Sequence, residues 1–184
     1  MNDIDFVAPD FDSIPASLAR DFLFRHVHPL DPPGKTILQA IDPDTALRID
    51  VFRACGDTLR RAVAVDEMRL VSPADLVARH ARLLLDLAAG VAVPAKHADG
   101  YFCLVESVNP AEMEVAWTDH RRPAQPPEFR EVRRLLGHLI AARRDLLVTP
   151  EYSRNPLEIC PRCVAVPAFP LAGPQLILEL LGYC

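Results

Sequence analysis

The spacing of apolar residues changes at about residue 71, and this change limits the chain to a fold of mixed α and β structure. Before it, apolar and polar residues alternate, most clearly over residues 46–52. After it, apolar residues recur every three or four positions, first over residues 76–87. Alternation is typical of a strand with one buried face, and the longer period is typical of a helix. We therefore predict an α/β (α+β) protein, with a small mixed sheet in residues 1–71 and a mostly helical region in residues 72–184.

Individual strands and helices follow from the same periods and from turn residues. Strands are predicted over residues 2–8, 36–41 and 46–52, with a weaker pair within residues 62–71. A helix is predicted over residues 13–27, with Pro15 in its first turn. The run Ser72-Pro73-Ala74-Asp75 favours another helix start, because it offers a capping hydroxyl, a proline at the first position and an acid in the first turn. Further helices are predicted over residues 94–108, 111–119, 127–146 and 173–181.

The composition is typical of a soluble globular protein. Half of the 184 residues are hydrophobic and 24% are charged, with a net charge of -5. No apolar run approaches the roughly 18 residues that a membrane-spanning helix needs, and the acidic start does not resemble a signal peptide. We therefore expect a cytoplasmic protein with reduced cysteines and no membrane partner.

Three aspartates are the first candidates for a functional site. Asp3 and Asp5 are two positions apart on a predicted strand, so they lie on the same face of it. Asp50 points away from the apolar face of another predicted strand. If those strands are neighbours, the three carboxylates converge, and oxygen ligands of this kind suit Mg²⁺. Acids at strand ends also commonly face water, and the spacing alone leaves that alternative open.

Three segments around these acids resemble motifs of the nucleotidyltransferase superfamily that includes DNA polymerase beta: NDIDFV at 2–7, LRIDVF at 47–52 and VSPADLV at 71–77. The resemblance is to small bacterial members, among them toxins of abortive-infection systems. It implies that Asp3, Asp5 and Asp50 bind Mg²⁺ or Mn²⁺ and that Asp50 is catalytic. The implied reaction moves a nucleoside monophosphate from a nucleoside triphosphate such as ATP to an acceptor hydroxyl. The acceptor stays open between tRNA, a protein and a small molecule.

Two basic residues are the candidates for contacting the nucleotide. Lys96, followed by Asp99, resembles a Lys-Asp pair of the family, and Arg79 stands where many relatives carry a lysine. Contact with phosphate is implied for both by the resemblance, and solvated helix side chains are the alternative.

The chain departs from the family pattern in one respect. The family places a Gly-Ser or Gly-Gly turn before the first acid, where backbone amides at a helix start hold the triphosphate. Here Met1 stands two residues before Asp3, and the seven glycines occur singly. We therefore expect metal binding without efficient transfer. The alternative function is a catalytically degenerate binding or interaction module, for which stabilisation by zinc through the C-terminal cysteines stays open.

The cysteines offer a second candidate site. Cys160 and Cys163 form a Cys-x-x-Cys pair, which suits a Zn²⁺ knuckle or a redox pair, and Cys184 is a possible third ligand. Plain loop cysteines remain the alternative, because prolines surround the motif. Cys55 and Cys103 lie in apolar surroundings and are predicted to be core residues, and the sequence shows no nucleophile triad.

Overall fold

The computed structural model describes residues 3–9, 14, 21–27, 37–42, 45 and 47–149. The described residues divide into two compact units. One lies within residues 3–54, and the other is Cys55–Glu151, described as far as residue 149. The mixed α and β class predicted from the sequence is confirmed. The helix predicted over residues 173–181 and the three cysteines of the predicted zinc site, Cys160, Cys163 and Cys184, lie outside the described residues.

The first unit is built on a four-stranded sheet with the order β1-β4-β3-β2. Its strands are β1 (Asp3–Ala8), β2 (Leu23–Val27), β3 (Ile37–Ile41) and β4 (Arg48–Arg53). β1 runs parallel to β4, whereas the other neighbouring pairs are antiparallel. The strands predicted over residues 2–8, 36–41 and 46–52 are confirmed to within two residues at each end.

The helix predicted over residues 13–27 is wrong at its C-terminal end. Leu23–Val27 is strand β2, which pairs with β3 and shifts register between Phe24 and His26. Phe, His and Val side chains fit a pleated sheet well, and pairing with a neighbouring strand overrides a local helical period. The period of this segment was therefore assigned to the wrong element over residues 23–27.

The second unit begins with a hairpin and continues as four helices in its described part. The hairpin strands are β5 (Val63–Val65) and β6 (Met68–Leu70), joined by a turn in which Asp66 has a φ of 53°. The helices are α1 (Pro73–Leu84), α2 (Lys96–Leu104), α3 (Pro110–His120) and α4 (Phe129–Ala142). Short 3-10 turns cover Leu85–Ala89 and Arg144–Leu146, and β7 (Val93–Pro94) pairs in parallel with β8 (Leu147–Val148). The predicted weaker strand pair is confirmed, and so is the helical character predicted after residue 72 as far as residue 149.

Helix α1 begins where the sequence predicted. The hydroxyl of Ser72 accepts a hydrogen bond from the backbone N–H of Asp75 at 3.1 Å, and Pro73 occupies the first helical position. The helical path ends at Gly90, whose φ of 76° is favourable only for glycine. Local sequence signals are therefore sufficient to fix this element.

The core of the second unit lies around α1. Val77 and Leu84 of α1, Trp117 of α3 and Leu136 of α4 are all 0% exposed. The indole N–H of Trp117 donates to the carbonyl of Pro126 at 2.8 Å, so its one polar atom is satisfied. Burial of these side chains holds the helices together and positions the polar groups between them. No helix in the described part of the chain is long and apolar enough to cross a membrane.

Candidate functional site

The strands that carry the predicted metal ligands are neighbours in the sheet. Asp5 of β1 is the register partner of Asp50 of β4, and Asp3 is opposite Arg48. Residues in register on neighbouring strands project from the same face of a sheet. Asp5 and Asp50 therefore lie side by side on one face, so the condition on which the sequence prediction depended, neighbouring strands, is met for these two acids.

The two carboxylates differ in their surroundings. Asp5 is exposed, whereas Asp50 is buried, with Nε of Arg48 3.3 Å from its Oδ1. A buried carboxylate needs a neighbouring cation, and Arg48 supplies one. Among the described side chains, which do not include that of Asp3, no group of three or more His, Cys, Asp or Glu residues is placed to hold a metal ion. The three-acid metal site therefore stays a prediction.

The two predicted nucleotide ligands lie around a pair of histidines in the second unit. Nδ1 of His80 in α1 is 3.1 Å from Nδ1 of His97 in α2. Burial, followed by the charges of Arg79 and Lys96, lowers the pKa of His80 to about 4. Burial, followed by the charges of His80, Lys96 and Arg79, lowers the pKa of His97 to about 4. Both rings are therefore neutral at pH 7, and Arg79 and Lys96 lie close to the same place. Their contact with a nucleotide stays a prediction.

A buried carboxylate organises the other end of the second unit. Asp75, in the first turn of α1, is 0% exposed, and Arg61 donates to it from Nε at 3.0 Å and from Nη2 at 2.6 Å. The hydroxyl of Ser72 and Nε2 of His120 also donate to this carboxylate. Burial raises the pKa of Asp75, but hydrogen bonds from His120, Arg61 and Ser72 outweigh burial and hold the pKa well below its usual range. Asp75 is therefore a carboxylate at neutral pH and only accepts hydrogen bonds.

Cys55 lies beside this network. The prediction that Cys55 and Cys103 are core residues is wrong, because Cys55 is partly exposed and Cys103 is exposed. Nη1 of Arg82 is 3.7 Å from the sulfur of Cys55. Burial raises the pKa of this thiol, but hydrogen bonding and charge from His120, and then the charge of Arg82, outweigh burial and lower the pKa. The thiol is therefore biased toward the thiolate.

His120 interacts with both the buried acid and the thiol. Burial lowers the pKa of His120, but interactions with Asp75 and then with Cys55 outweigh burial and raise it. A nucleophile, a histidine and an orienting carboxylate occur in this order in many active sites, where geometry rather than sequence position identifies them. The arrangement has the chemical elements of an activated cysteine.

Sequence reasoning missed this arrangement because its members are far apart along the chain. Asp75 and His120 are separated by 45 positions, and Arg82 and Cys55 by 27. The one local signal is Gly56, directly after Cys55, whose φ of 48° marks a turn that favours glycine. That signal indicates a tight turn but does not name the groups that face it.

Comparisons of the chain with protein-family models, with curated proteins and with solved structures gave no match. The functional interpretation therefore depends on the geometry of these groups and on the motifs in the sequence.

Proposed function

We propose that the protein is a metal-dependent nucleotidyltransferase whose cation site is formed by Asp3, Asp5 and Asp50. The reaction would move a nucleoside monophosphate from a nucleoside triphosphate to an acceptor hydroxyl, with the low efficiency that the sequence predicts. The observation that carries the proposal is the register of β1 and β4, in which Asp5 is directly opposite Asp50. Together with the NDIDFV and LRIDVF motifs, that register supports a shared carboxylate site on one face of the sheet.

The donor atoms suit a hard divalent cation. Carboxylate oxygens are the protein ligands that Mg²⁺ and Mn²⁺ prefer, and a cation bound by one or two of them keeps positions for phosphate oxygens and water. Bound metal would neutralise the charge that develops on the phosphates during transfer. Arg48 already neutralises Asp50, so a divalent cation has to compete with its guanidinium group. We therefore expect weak binding of metal alone.

Arg79 and Lys96 are the proposed phosphate ligands. Both charges lower the pKa of His80 and of His97, which supports the proposal that they lie near one pair of neutral rings. Two cations near one place favour an anion with several oxygens, such as a triphosphate.

The experiment is a Mn²⁺ titration of the whole chain, read by electron paramagnetic resonance of free Mn²⁺. Asp50→Asn should weaken binding about tenfold or more, equivalent to about 1.4 kcal/mol. Asp21→Asn is the matched control, because Asp21 is an exposed acid in the same unit. Equal Mn²⁺ affinity in wild type and Asp50→Asn would remove the proposed cation site.

Transfer is measured separately, with labelled nucleoside triphosphates and a cell extract as the source of acceptor. Metal-dependent labelling that Asp50→Asn abolishes and Asp21→Asn retains supports the transferase. Metal binding without labelling favours the second candidate, a catalytically inactive binding module. The Arg48–Asp50 ion pair favours that candidate, because it neutralises Asp50 without a metal.

A further inference from the structure

The turn that follows β4 holds Cys55 in a fixed position while leaving it partly exposed. The carbonyl oxygen of Cys55 accepts a hydrogen bond from the backbone N–H of Thr58 at 3.1 Å, and the hydroxyl of Thr58 lies 2.6 Å from the same oxygen. Gly56 has a φ of 48°, and Asp57 is tied by its backbone N–H to Asp119 at 2.9 Å. The backbone beside the sulfur is therefore held by several hydrogen bonds, while the residue as a whole stays partly exposed.

The tautomer of His120 follows from its contact with Asp75. Nε2 of His120 is 2.9 Å from Oδ1 of Asp75, and a carboxylate can only accept, so Nε2 carries a proton. In the neutral ring, Nδ1 is then the basic nitrogen. The residue is 6% exposed, and Nδ1 has no partner in standard hydrogen-bond geometry among the described residues. A buried nitrogen without a hydrogen-bond partner lowers the stability of the folded state, and a catalytic role is one explanation for its presence.

Cys55 is a neighbour of this histidine. His120 lowers the pKa of the thiol by hydrogen bonding and by charge, although Nδ1 of His120 makes no hydrogen bond in standard geometry. Catalytic hydrogen bonds are often long or poorly aligned before a ligand binds. From α1, Arg82 faces the sulfur, and Asp86 and Arg122 act on Arg82 in turn. The sulfur therefore lies beside a guanidinium group and under the influence of a basic imidazole.

We propose that Cys55 is a reactive thiolate site for low-molecular-weight disulfides, with His120 as its proton acceptor and Arg82 as its stabilising cation. The thiol proton moves to Nδ1 of His120. The thiolate attacks one sulfur of the disulfide, so that a Cys55–sulfur bond forms while the original sulfur–sulfur bond breaks. The leaving thiolate takes the proton from His120, and the products are a mixed disulfide on Cys55 and one free thiol.

Disulfide exchange fits the site better than acyl transfer does. Acyl transfer needs preorganised donors for an oxyanion, commonly backbone N–H groups beside the nucleophile. The N–H of Asp57 is bonded to Asp119, and that of Thr58 is bonded to the carbonyl of Cys55. Attack on a disulfide needs no such donors, since the charge passes directly from one sulfur to another.

The first test uses the unsubstituted full chain and a graded pH series of iodoacetamide labelling, with each cysteine followed by peptide mass spectrometry. We expect the labelling rate of Cys55 to level off at a lower pH in the folded protein than in the urea-unfolded chain. Each tenfold gain in thiolate should give roughly a threefold gain in rate, because intrinsic nucleophilicity falls as the pKa falls. Labelling of the exposed Cys103 checks that reagent is not limiting. A Cys55 profile that is the same in the folded and unfolded chain would overturn the proposal.

The second test examines the histidine. His120→Gln keeps an N–H that can donate to Asp75 but removes the basic nitrogen, so the pH profile of Cys55 should move toward that of the unfolded chain. His138→Gln, at an exposed position of α4, is the matched control and should keep the wild-type profile. Circular dichroism checks that both variants fold, and if His120→Gln does not, the wild-type profile alone decides. An unchanged profile in folded His120→Gln would show that His120 does not activate the thiol.

The third test names the reactant. Incubation with glutathione disulfide should add one glutathionyl group at Cys55, reversible by dithiothreitol, and faster in wild type than in His120→Gln. Modification of Cys103 at the same rate as Cys55 would overturn the assignment of a specific site. None of these measurements uses metal or nucleotide, so their outcome is independent of the proposed transferase activity.

Discussion

The carboxylate of Asp119 occupies the space that a side chain at Gly56 would need. A β-carbon at Gly56 would lie 2.6 Å from Oδ2 of Asp119 and closer still to its Cγ. The same Oδ2 accepts hydrogen bonds from the backbone N–H of Asp57 at 2.9 Å and from Nη1 of Arg61 at 2.7 Å. Because Gly56 has no side chain, the carboxylate of Asp119 can accept hydrogen bonds from both the turn after Cys55 and Arg61.

Gly56→Ala should destabilise the protein by about 2 kcal/mol or more. The backbone conformation with φ of 48° is strained for alanine, and the new methyl group would push Asp119 out of its hydrogen bonds. Gly137→Ala is the matched control, because a methyl group added at Gly137 on helix α4 would have nothing within 4 Å of it. Alanine favours a helix interior by up to about 1 kcal/mol over glycine, so this control should gain stability. Urea unfolding measures both changes, and a loss in both variants would contradict the argument.

Asp75→Asn should cost about 3 kcal/mol of unfolding free energy. The substitution removes the buried negative charge that pairs with the guanidinium of Arg61. Removal of one member of a buried ion pair is strongly destabilising. Asp57→Asn makes the same chemical change in the exposed Asp57–Arg60 pair, where the loss should stay within about 0.5 kcal/mol. Similar losses in the two variants, measured by urea unfolding, would show that Asp75 does not carry the network.

The elements that the sequence predicted correctly are those with strong local signals. Helix α1 has its cap at Ser72, its proline at Pro73 and its terminal glycine at Gly90, and each acts within one turn of the chain. Strand β4 shows clean alternation, and the burial of Val51 follows from it. Signals of this kind need no knowledge of distant partners.

The features that the sequence did not predict depend on partners that are distant along the chain. Strand β2 forms through pairing with β3, whereas its own sequence also fits a helix. Cys55 has no local pattern that distinguishes it from a core cysteine, because its partners come from α1 and α3. The sequence predicted that Asp5 and Asp50 meet only if their strands are neighbours. The residues of a single strand do not determine which strands lie beside it in a sheet.

Acid should destabilise the second unit through its histidine pair. The pKa of about 4 for His80 and for His97 lies below the ordinary 6.5, so the unfolded chain binds more protons between these values. The stability that the two neutral rings contribute is therefore present above pH 6.5 and lost as the pH falls toward 4. The loss is at most about 1.4 kcal/mol per pH unit for each histidine, and the charges of Arg79 and Lys96 are among the causes that lower the two pKa values.

His97→Gln should reduce that pH dependence by about half. The variant removes one of the two titrating rings, whereas burial and the charges of Arg79 and Lys96, which lower the pKa of His80, remain. The measurement is the unfolding free energy in urea at several pH values between 7 and 4.5. His138→Gln, at its exposed position, should keep the wild-type slope. A His97→Gln slope equal to that of wild type would show that the pair does not govern the acid response.

Arg48→Gln tests whether the cation partner of Asp50 can be replaced by a metal, and it depends on the proposed function. The substitution removes the guanidinium that lies 3.3 Å from a carboxylate with 8% of its side chain exposed, so the metal-free protein should lose about 3 kcal/mol. Mn²⁺ should then restore stability, because a ligand at 100 times its Kd contributes about 2.7 kcal/mol to the state that binds it. In wild type the rise in Tm with Mn²⁺ should be smaller, since the metal must first displace Arg48.

Arg53→Gln, at an exposed position of the same strand, should respond as wild type does. The double variant Arg48→Gln/Asp50→Asn lacks the carboxylate and shows how far Mn²⁺ raises the Tm without it. An equal rise in Tm for Arg48→Gln and for the double variant would show that Asp50 does not bind Mn²⁺.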